Sequence, residues 1–397
     1  MQFFSFFIIY SIIIFLYSLF LYKKSLIYYS PIYTIDKNFK KINVHSLFPE
    51  FSLFDKKVSF WRIFIGSYLM MPIKIILAAI SAILCIIQLK YYLSKFKNPE
   101  TNIEERKIIS FVSSRYTYWL SRIICLKYIK KDINEEKIKK IYKKYLGDNY
   151  NFNQENYSLI ICNHIGFFEV LYNMIYKYSG FIAKYPIKNY YFIGPIAQSI
   201  NCLFVNRENQ TDRDFIFKKI LERQNDFYNK KILEPLCIFP EGTTTNGKYL
   251  LKFKKGAFYN LLPVKPEIIN AFKEDEFVLS TGASNIVYNF LRSLCYINHR
   301  MYYIDLPVIY PTEYMYEKYK IYGKEKWEIY AEVCREIMCE IGEFEKSDKS
   351  FRDKKLYMNA LLTGEYKEIL DEKDKEYINN ILNEKDYYNN DIKEKLI

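Results

Sequence analysis

One histidine in this chain stands where an imidazole can act as a base. His164 directly follows the apolar run 157–162, in the sequence NHIGFFE, and Glu169 lies five positions further on. Ligands of α/β sheets bind at the carboxyl ends of the strands, which is where this histidine is expected. A carboxylate bonded to one ring nitrogen fixes the tautomer, stabilises the imidazolium and leaves the other nitrogen to take a proton. We predict that His164 is a general base assisted by Glu169; a structural pair is the alternative.

The other two histidines offer no comparable setting. His45 lies in the loop after the first apolar segment, and His299 lies in the basic stretch Asn298-His299-Arg300. Neither has a carboxylate at a recognisable spacing, as an activated base requires. We therefore interpret both as surface or structural residues and place His299 in a turn.

Two further sequences are compatible with a phosphate-bearing ligand. FPEGTTTNG, residues 239–247, follows an apolar run, and its amides and hydroxyl groups can hold phosphate oxygens. An ordinary strand-ending turn is the alternative, and the GxxxxGK sequence of a P-loop is absent. Arg207 ends the run CLFVNR, where a guanidinium can bind a phosphate through two hydrogen bonds or form a surface ion pair.

The net charge and the cysteine spacing limit which classes of binding partner and of site the chain can have. A net charge of +13 favours an anionic partner, which can be nucleic acid, an anionic membrane surface or a phosphate-bearing substrate. No helix-turn-helix, zinc-finger or RNA-recognition signature accompanies the charge, so we predict no nucleic-acid partner. The eight cysteines form no CxxC pair, and most lie in apolar stretches. This pattern predicts reduced core cysteines rather than a disulfide framework or a metal site.

The first 22 residues are almost wholly apolar and end at Lys23-Lys24. A helix of this length spans the hydrocarbon core of a bilayer, which is about 30 Å thick. No basic residue precedes the apolar run and no small-residue cleavage site follows it. An uncleaved anchor is therefore favoured over a signal peptide.

A second apolar stretch, residues 63–89, is interrupted by Pro72 and Lys74. Its uninterrupted part, residues 75–89, is short for a span, so a crossing, a re-entrant segment and an interfacial helix all fit. The intervening residues 23–62 carry eight Lys and Arg, which predicts a cytoplasmic loop.

Short apolar runs separated by helix-length segments predict an α/β sheet. The predicted strands are residues 159–162, 202–205, 236–239 and 303–310. Apolar residues at helical spacing predict a covering helix at 325–344. Beyond residue 345 Lys, Asp, Glu and Asn dominate, which predicts a solvated helical or partly disordered tail.

Taken in order, NHIGFFE, FVNR and FPEGTTTNG resemble signature blocks of the lysophospholipid acyltransferase superfamily, whose hallmark is a His-x4-Asp motif. AKYPIKN, KKGAF and PVKP (263–266) fit the same pattern, and PVKP resembles the family's fourth block. IDLPVIYPTE and YAEVCREIMCEIG resemble the branch of lysophosphatidylcholine and lysophosphatidylethanolamine acyltransferases. The resemblance covers about residues 60–345 and departs from the family at Glu169, where the family has aspartate.

The resemblance implies a glycerolipid acyltransferase fold, in which a twisted, mostly parallel or mixed sheet is flanked by helices and preceded by membrane helices. It implies that His164, assisted by Glu169, deprotonates the free hydroxyl of a lysophospholipid, which attacks the thioester of acyl-CoA. Acyl-CoA is then a co-substrate, and no cofactor or metal is expected. The implied binding residues are Arg207, Glu241, Gly242 and Thr243 for the phosphate or glycerol part of the acceptor, and Pro266 for the acyl pocket.

This interpretation divides the chain into a transmembrane anchor (1–23), a cytoplasmic loop (24–62), a second hydrophobic helix (63–93), an acyltransferase domain (94–345) and a polar charged tail (346–397). The expected partners are a phospholipid membrane, a lysophospholipid and acyl-CoA. The expected location is the endoplasmic reticulum membrane, with the catalytic domain facing the cytosol. Two alternatives stay open: glycerol-3-phosphate or lysophosphatidic acid is the acceptor, or the protein is a catalytically silent lipid-binding membrane scaffold.

Overall fold

Helices dominate the N-terminal region of the protein. The computed structural model describes residues 2–29, 33–35, 41–53, 59–96, 102–191, 193–206, 210–270 and 281–363. The N-terminal elements are α1 (Gln2–Tyr29), β1 (Tyr33–Ile35), β2 (Lys41–Asn43), α2 (Val44–Leu47), α3 (Phe60–Leu69), α4 (Met71–Lys95) and α5 (Ile103–Ile123). β1 and β2 pair antiparallel. α5 begins where the Asn102 side chain accepts the N–H groups of Glu104 and Glu105, which caps the helix.

Both strands and helices make up the rest of the chain, as the apolar runs predict. The elements up to the middle are β3 (Leu126–Lys130), α6 (Glu135–Leu146), β4 (Leu159–Cys162), α7 (Phe168–Tyr176), β5 (Gly180–Lys184), α8 (Ile193–Ser199), β6 (Leu203–Val205) and α9 (Gln210–Tyr228). They are followed by β7 (Leu236–Ile238), β8 (Tyr249–Leu251), β9 (Val264–Asn270), α10 (Ile286–Leu294), β10 (His299–Asp305), α11 (Glu313–Lys318), α12 (Lys326–Gly342), β11 (Glu345–Ser347) and α13 (Phe351–Thr363).

The main sheet is mixed. Within the described residues it has seven strands in the order β3-β10-β9-β4-β7-β5-β6. The five strands from β9 to β6 run parallel, whereas β10 runs antiparallel to β9 and parallel to β3. β8 and β11 form a separate parallel pair. The predicted fold class, an α/β sheet flanked by helices, is confirmed.

β4 shows how the two faces of the sheet are covered. All four of its residues are buried, because side chains alternate between two covered faces. Leu159 and Ile161 pack into a cluster with residues of α6 and α12. Ile160 and Cys162 pack into the other cluster, which includes residues of α7, α13 and the N-terminal helix α1. α1 is therefore packed into the same hydrophobic core as the sheet.

Two helices, Phe7–Tyr28 within α1 and Met71–Lys95, are long and apolar enough to cross a membrane. The helical path is interrupted at Met70, between α3 and α4. Pro72 lies in the first turn of α4, where its missing N–H costs no intrahelical bond. α4 extends six residues beyond the predicted apolar stretch and ends at Lys95. Apolar side chains cover much of its exposed surface: Ile73, Ile75, Ile76, Leu77, Ile80, Ile83, Leu84 and Ile87.

Two details differ from the sequence-based expectations. Of the run predicted as a strand at 303–310, only residues 303–305 lie in a strand, because β10 begins at His299 and ends at Asp305. The prediction that His299 lies in a turn is wrong. Within the range predicted as a polar tail, α13 buries Leu356, Tyr357 and Ala360 in the core, so this part is not solvated. The remainder of that range, from residue 364, lies outside the described residues.

Gly66 marks a close approach between α3 and the end of α10. A β-carbon at this position would lie 1.8 Å from the carbonyl oxygen of Cys295, which is main chain and cannot rotate away. We expect Gly66→Ala to destabilise the protein by about 1–3 kcal/mol, the usual cost of overpacking. Thermal unfolding in detergent measures the effect. Gly256→Ala is the matched control, since its β-carbon would meet only Ile220 Cδ1 at 3.7 Å; equal melting temperatures in both variants would contradict the prediction.

Candidate active site

The turn that carries His164 leaves β4 in a fixed direction. Asn163, directly after the strand, is buried, and its Nδ2 donates to the carbonyl of Ile269 on β9 at 2.8 Å. Its Oδ1 accepts the N–H of the same residue, also at 2.8 Å. The amide side chain thereby extends the β4–β9 pairing by one step. His164 follows at the carboxyl end of a central parallel strand, where sequence reasoning places it.

The imidazole of His164 and the carboxylate of Glu169 form a hydrogen bond of 2.7 Å between Nδ1 and Oε1. Glu169 lies in the first turn of α7, where a negative charge is favourable. The same Oε1 accepts the N–H groups of Ile165 (3.0 Å) and Gly166 (2.6 Å). Glu169 is 0% exposed, whereas 21% of the His164 side chain is exposed. The longer glutamate therefore reaches the imidazole while its carboxylate stays held by the main chain.

The remaining contacts of the imidazole leave one nitrogen available. Phe239 stacks on the His164 ring with a centroid distance of 4.1 Å and an interplanar angle of 10°. Phe239 itself stacks on Phe181 at 5.9 Å. Within the part of the chain that the structure describes, Nε2 of His164 makes no hydrogen bond. If Glu169 holds the proton on Nδ1, Nε2 is the atom that can accept a proton.

The FPEGTTTNG loop is bonded to the main chain of His164 on both sides. Oε1 of Glu241 accepts the N–H of His164 (2.7 Å), and Oε2 accepts the N–H of Leu251 (3.0 Å). The N–H of Thr245 donates to the carbonyl of His164 at 2.9 Å. These bonds fix the loop beside the histidine. Glu241 is buried and both of its oxygens are engaged, so it contacts the protein's own main chain.

Gly242 and Thr243 complete the turn after Glu241. The N–H of Gly242 donates to the carbonyl of Phe239 (3.0 Å), and its φ of +71° lies in the left-handed region that favours glycine. Thr243 is buried, and its hydroxyl makes no hydrogen bond within the described residues. The structure thus brings His164, Glu169 and this turn together.

One predicted site residue lies within the sheet, and another lies outside the described residues. Pro266 is buried within β9, opposite Ile161 of β4, and it therefore lies in the middle of the sheet. Arg207 lies outside the described residues; β6, which precedes it, ends at Val205 on the far edge of the sheet.

The other histidines make structural contacts. Nδ1 of His45 lies 2.6 Å from the hydroxyl of Tyr357, and His45 is buried. Nε2 of His299 donates to the carbonyl of Ser293 at 2.9 Å. Burial lowers the pKa of His299 to about 4, although the bond to that carbonyl acts in the opposite direction. His299 is therefore neutral at neutral pH and enclosed in the core.

Sequence reasoning missed two distant segments that hold the site. Thr281 donates its N–H and its hydroxyl to the carbonyl of Ile165, at 2.6 and 3.0 Å. Nδ2 of Asn246 donates to the carbonyls of Pro49 (2.7 Å) and Ser52 (3.0 Å). The N-terminal segment is thus attached to the FPEGTTTNG loop. For the contacts with Pro49 and Ser52, the sequence offers one local indication, which is the polar side chain of Asn246 within the loop.

Glu241 predicts a pH dependence of stability. Burial raises its pKa from 4.5 to about 8, against the opposing effects of the N–H groups of Leu251 and His164 and the charge of Arg335. Between pH 4.5 and 8 the carboxyl is protonated in the folded protein and ionised in the unfolded chain, so stability falls as pH rises. We expect the melting temperature to fall more from pH 5 to pH 8 in the wild type than in Glu241→Gln. If the melting temperature changed equally from pH 5 to pH 8 in both proteins, Glu241 would not be the source of this pH dependence.

Comparisons with known proteins show which proteins the chain resembles. Residues 137–270 match the Acyltransferase family. Lysophospholipid acyltransferase LPEAT1 of Arabidopsis thaliana is 30% identical over 218 residues, which are 55% of this chain and 52% of the relative. Lysophosphatidylcholine acyltransferase 1 of Homo sapiens is 28% identical over 211 residues, 52% of this chain and 36% of the relative.

Among solved structures, the 1-acyl-sn-glycerophosphate acyltransferase PlsC from Thermotoga maritima matches with a TM-score of 0.39 and 13% identity, covering 69% of this chain and 98% of that one. The chain spans about half the length of LPEAT1 and about a third of the human relative. Residues 137–270 thus match the Acyltransferase family, and over about half of its length the chain is similar to proteins named as lysophospholipid acyltransferases.

Proposed function

We propose that the protein is a membrane-bound acyltransferase that moves a fatty acyl group from acyl-CoA to the free hydroxyl of a lysophospholipid. The observation that carries this proposal is the His164–Glu169 pair, with its 2.7 Å bond at Nδ1 and an available Nε2. A buried carboxylate on one nitrogen and an open second nitrogen are what a general base requires. The names of the relatives supply the substrate class.

The proposed reaction needs one proton acceptor and no covalent enzyme intermediate. Nε2 of His164 takes the proton from the acceptor hydroxyl while that oxygen attacks the thioester carbonyl of acyl-CoA. The carbon–sulfur bond breaks, the new ester forms, and the CoA thiolate leaves and receives a proton from the imidazolium. Glu169 stabilises the imidazolium between these two transfers. The FPEGTTTNG loop positions the acceptor so that its hydroxyl lies within reach of Nε2.

We assign the acceptor's phosphate or glycerol part to Gly242 and Thr243, together with Arg207. The unbonded hydroxyl of Thr243 and the turn beside His164 support this assignment. Glu241 receives a different role, because its two oxygens are occupied by main-chain N–H groups. We propose that it positions His164 and the loop relative to each other. Pro266 is assigned to the packing of the sheet, since it lies within β9.

α1 and α4 are the proposed membrane elements, corresponding to the anchor at 1–23 and the second hydrophobic helix at 63–93. Their length and the apolar exposed surface of α4 support this role. The basic residues between them favour a cytosolic position for that segment. We propose that α4 enters the membrane as a re-entrant or interfacial helix without crossing it. The acyltransferase domain (94–345) then lies on the same side as that segment, at the endoplasmic reticulum, where acyl-CoA is accessible.

The test is CoA release by the purified protein in lipid nanodiscs, with the acylated product identified by mass spectrometry. The acceptors are lysophosphatidylcholine, lysophosphatidylethanolamine, lysophosphatidic acid and glycerol-3-phosphate. We expect turnover with at least one of the first two. Turnover with only the last two would overturn the acceptor assignment, and no turnover with any of them would favour a silent lipid-binding scaffold.

A further inference from the structure

A lysine from outside the matched family region reaches into the candidate site. Lys354 lies on α13, and its side chain is buried. Its Nζ donates to the carbonyl oxygen of Thr244 at 2.8 Å and also to the hydroxyl of the same threonine. Thr244 is part of the FPEGTTTNG loop. One amino group therefore holds both the carbonyl and the hydroxyl of a residue in the loop that we assign to the acceptor.

Further hydrogen bonds connect Thr244 to the turn that carries His164. The hydroxyl of Thr244, which accepts from Lys354, donates to the carbonyl of Gly282 at 3.1 Å. Gly282 in turn donates its N–H to the carbonyl of Thr245 at 3.2 Å, and Thr245 donates to the carbonyl of His164 at 2.9 Å. Lys354 is thus connected to the main chain of His164 through an unbroken series of hydrogen bonds.

The setting of Lys354 is energetically demanding. Burying an ammonium group is unfavourable unless partners compensate for the lost water. Burial lowers the pKa of Lys354 to about 7, and the nearby carboxylate of Glu241 acts in the opposite direction. A methylene chain alone would fill this space without that cost. The presence of an amino group here is therefore best explained by the two bonds that it donates to Thr244.

α13 is held in place by contacts that do not involve Lys354. Asp353 accepts the N–H (2.7 Å) and the hydroxyl (2.8 Å) of Ser350 at the start of the helix. The hydroxyl of Tyr357 lies 2.6 Å from Nδ1 of His45. The apolar face of α13 packs into the cluster that contains Leu21 of α1. Removing the ammonium group should therefore leave the helix docked.

We propose that Lys354 is a positioning residue for acyl transfer, which holds the FPEGTTTNG loop in the shape that receives the acceptor beside His164. The proposal rests on the proposed function for its kinetic consequence. The bonds of Lys354 end on the loop rather than on the base, so the loss of Lys354 should weaken the handling of the acceptor more than that of the acyl donor.

The experiment compares Lys354→Met with Lys355→Met in the full chain. Lys355 is the next residue on the same helix and is exposed, with its Nζ over the ring of Phe351. We expect Lys354→Met to lower kcat/KM for the lysophospholipid on the order of 10- to 100-fold, the scale of a misplaced substrate. This loss should come from a higher KM for the acceptor, whereas the KM for the acyl donor should stay within about twofold of the wild-type value. Lys355→Met should behave as the wild type.

Wild-type kinetics in Lys354→Met, or an equal rise in both KM values, would overturn the proposal. Thr244→Val supplies a second, milder variant in case Lys354→Met fails to fold. We expect the losses of the two single variants to be less than additive in the double variant, since both changes remove the bond between Nζ of Lys354 and the hydroxyl of Thr244. Additive losses would show that the contact is not what matters and would also overturn the proposal.

Hydrogen–deuterium exchange separates this inference from the proposed function. Amides 241–247 should exchange faster in Lys354→Met than in Lys355→Met, whether or not any acceptor is turned over. An inactive wild type with this exchange difference would defeat the proposed function alone. An active wild type with identical exchange in both variants would defeat the positioning role alone.

Discussion

Replacing His164 with alanine is expected to abolish measurable acyl transfer, because the change removes the proposed proton acceptor. General-base assistance contributes about 10²- to 10⁴-fold to a rate, and a loss of that size takes turnover close to background. The fold should survive. Glu241 and Thr245 bind the main chain of His164, which the substitution leaves in place, and Oε1 of Glu169 keeps the N–H groups of Ile165 and Gly166.

CoA release and product formation measure the effect, with His164→Gln as a second variant that fills more of the space left by the ring. Gel filtration, membrane retention and the melting temperature serve as controls for folding. Both variants should be folded and inactive. Retention of more than about a tenth of the wild-type rate in either folded variant would remove His164 from the mechanism.

The second large effect is expected at Glu169. Oε1 accepts three hydrogen bonds, whereas Oε2 is buried with no partner in the described part of the chain. In Glu169→Gln the NH₂ group must either take the Oε2 position as an unsatisfied buried donor or face three other donors. It also cannot stabilise the imidazolium. We expect a loss of kcat on the order of 10²- to 10⁴-fold, as when the carboxylate behind a catalytic histidine becomes an amide.

Glu169→Asp tests the reach of the side chain. Aspartate keeps the charge but is one methylene shorter, so it cannot span the same gap from α7 to Nδ1 of His164 without movement. We expect it to retain partial activity, above that of Glu169→Gln and below the wild type. The test measures kcat and the melting temperature of the wild type, Glu169→Gln and Glu169→Asp. Equal kcat values would show that Glu169 has no part in the reaction.

The sequence predicts the centre of this fold well, because the signals there are local. β4, β7 and α12 coincide closely with apolar runs or helical spacing. His164 and Glu169 are only five residues apart, so a strand followed by a helix is enough to bring them together. The glycine and threonine residues of the FPEGTTTNG loop likewise mark a turn after a strand.

β9 could not be predicted in the same way. Its sequence, VKPEIIN, places Lys265, Pro266 and Glu267 in consecutive positions of a central strand. Proline and charged residues usually argue against an interior strand. Here they are accommodated by neighbours: Glu267 lies 3.1 Å from Nζ of Lys177, and Lys265 lies 3.1 Å from Asp305. Such compensation becomes visible only once the sheet order is known.

The contacts around the site were also inaccessible to pattern reasoning, because they join parts of the chain that are far apart. Asn246 and Pro49 are separated by 197 positions, and Lys354 and Thr244 by 110. Periodicity reports which face of an element is buried but does not say what covers that face. The polar composition after residue 345 suggested a solvated tail, although α13 has a buried face within it.

The packing of α1 has a practical consequence for biochemistry. A membrane anchor is often treated as a removable tether, and its deletion as a route to a water-soluble enzyme. Here Ile14, Leu21 and Tyr28 are buried in the cluster that also covers one face of β4. We expect that excising this helix would expose this cluster to solvent, so the proposed anchor is also part of the hydrophobic core. The protein should therefore be purified in detergent or lipid with α1 retained.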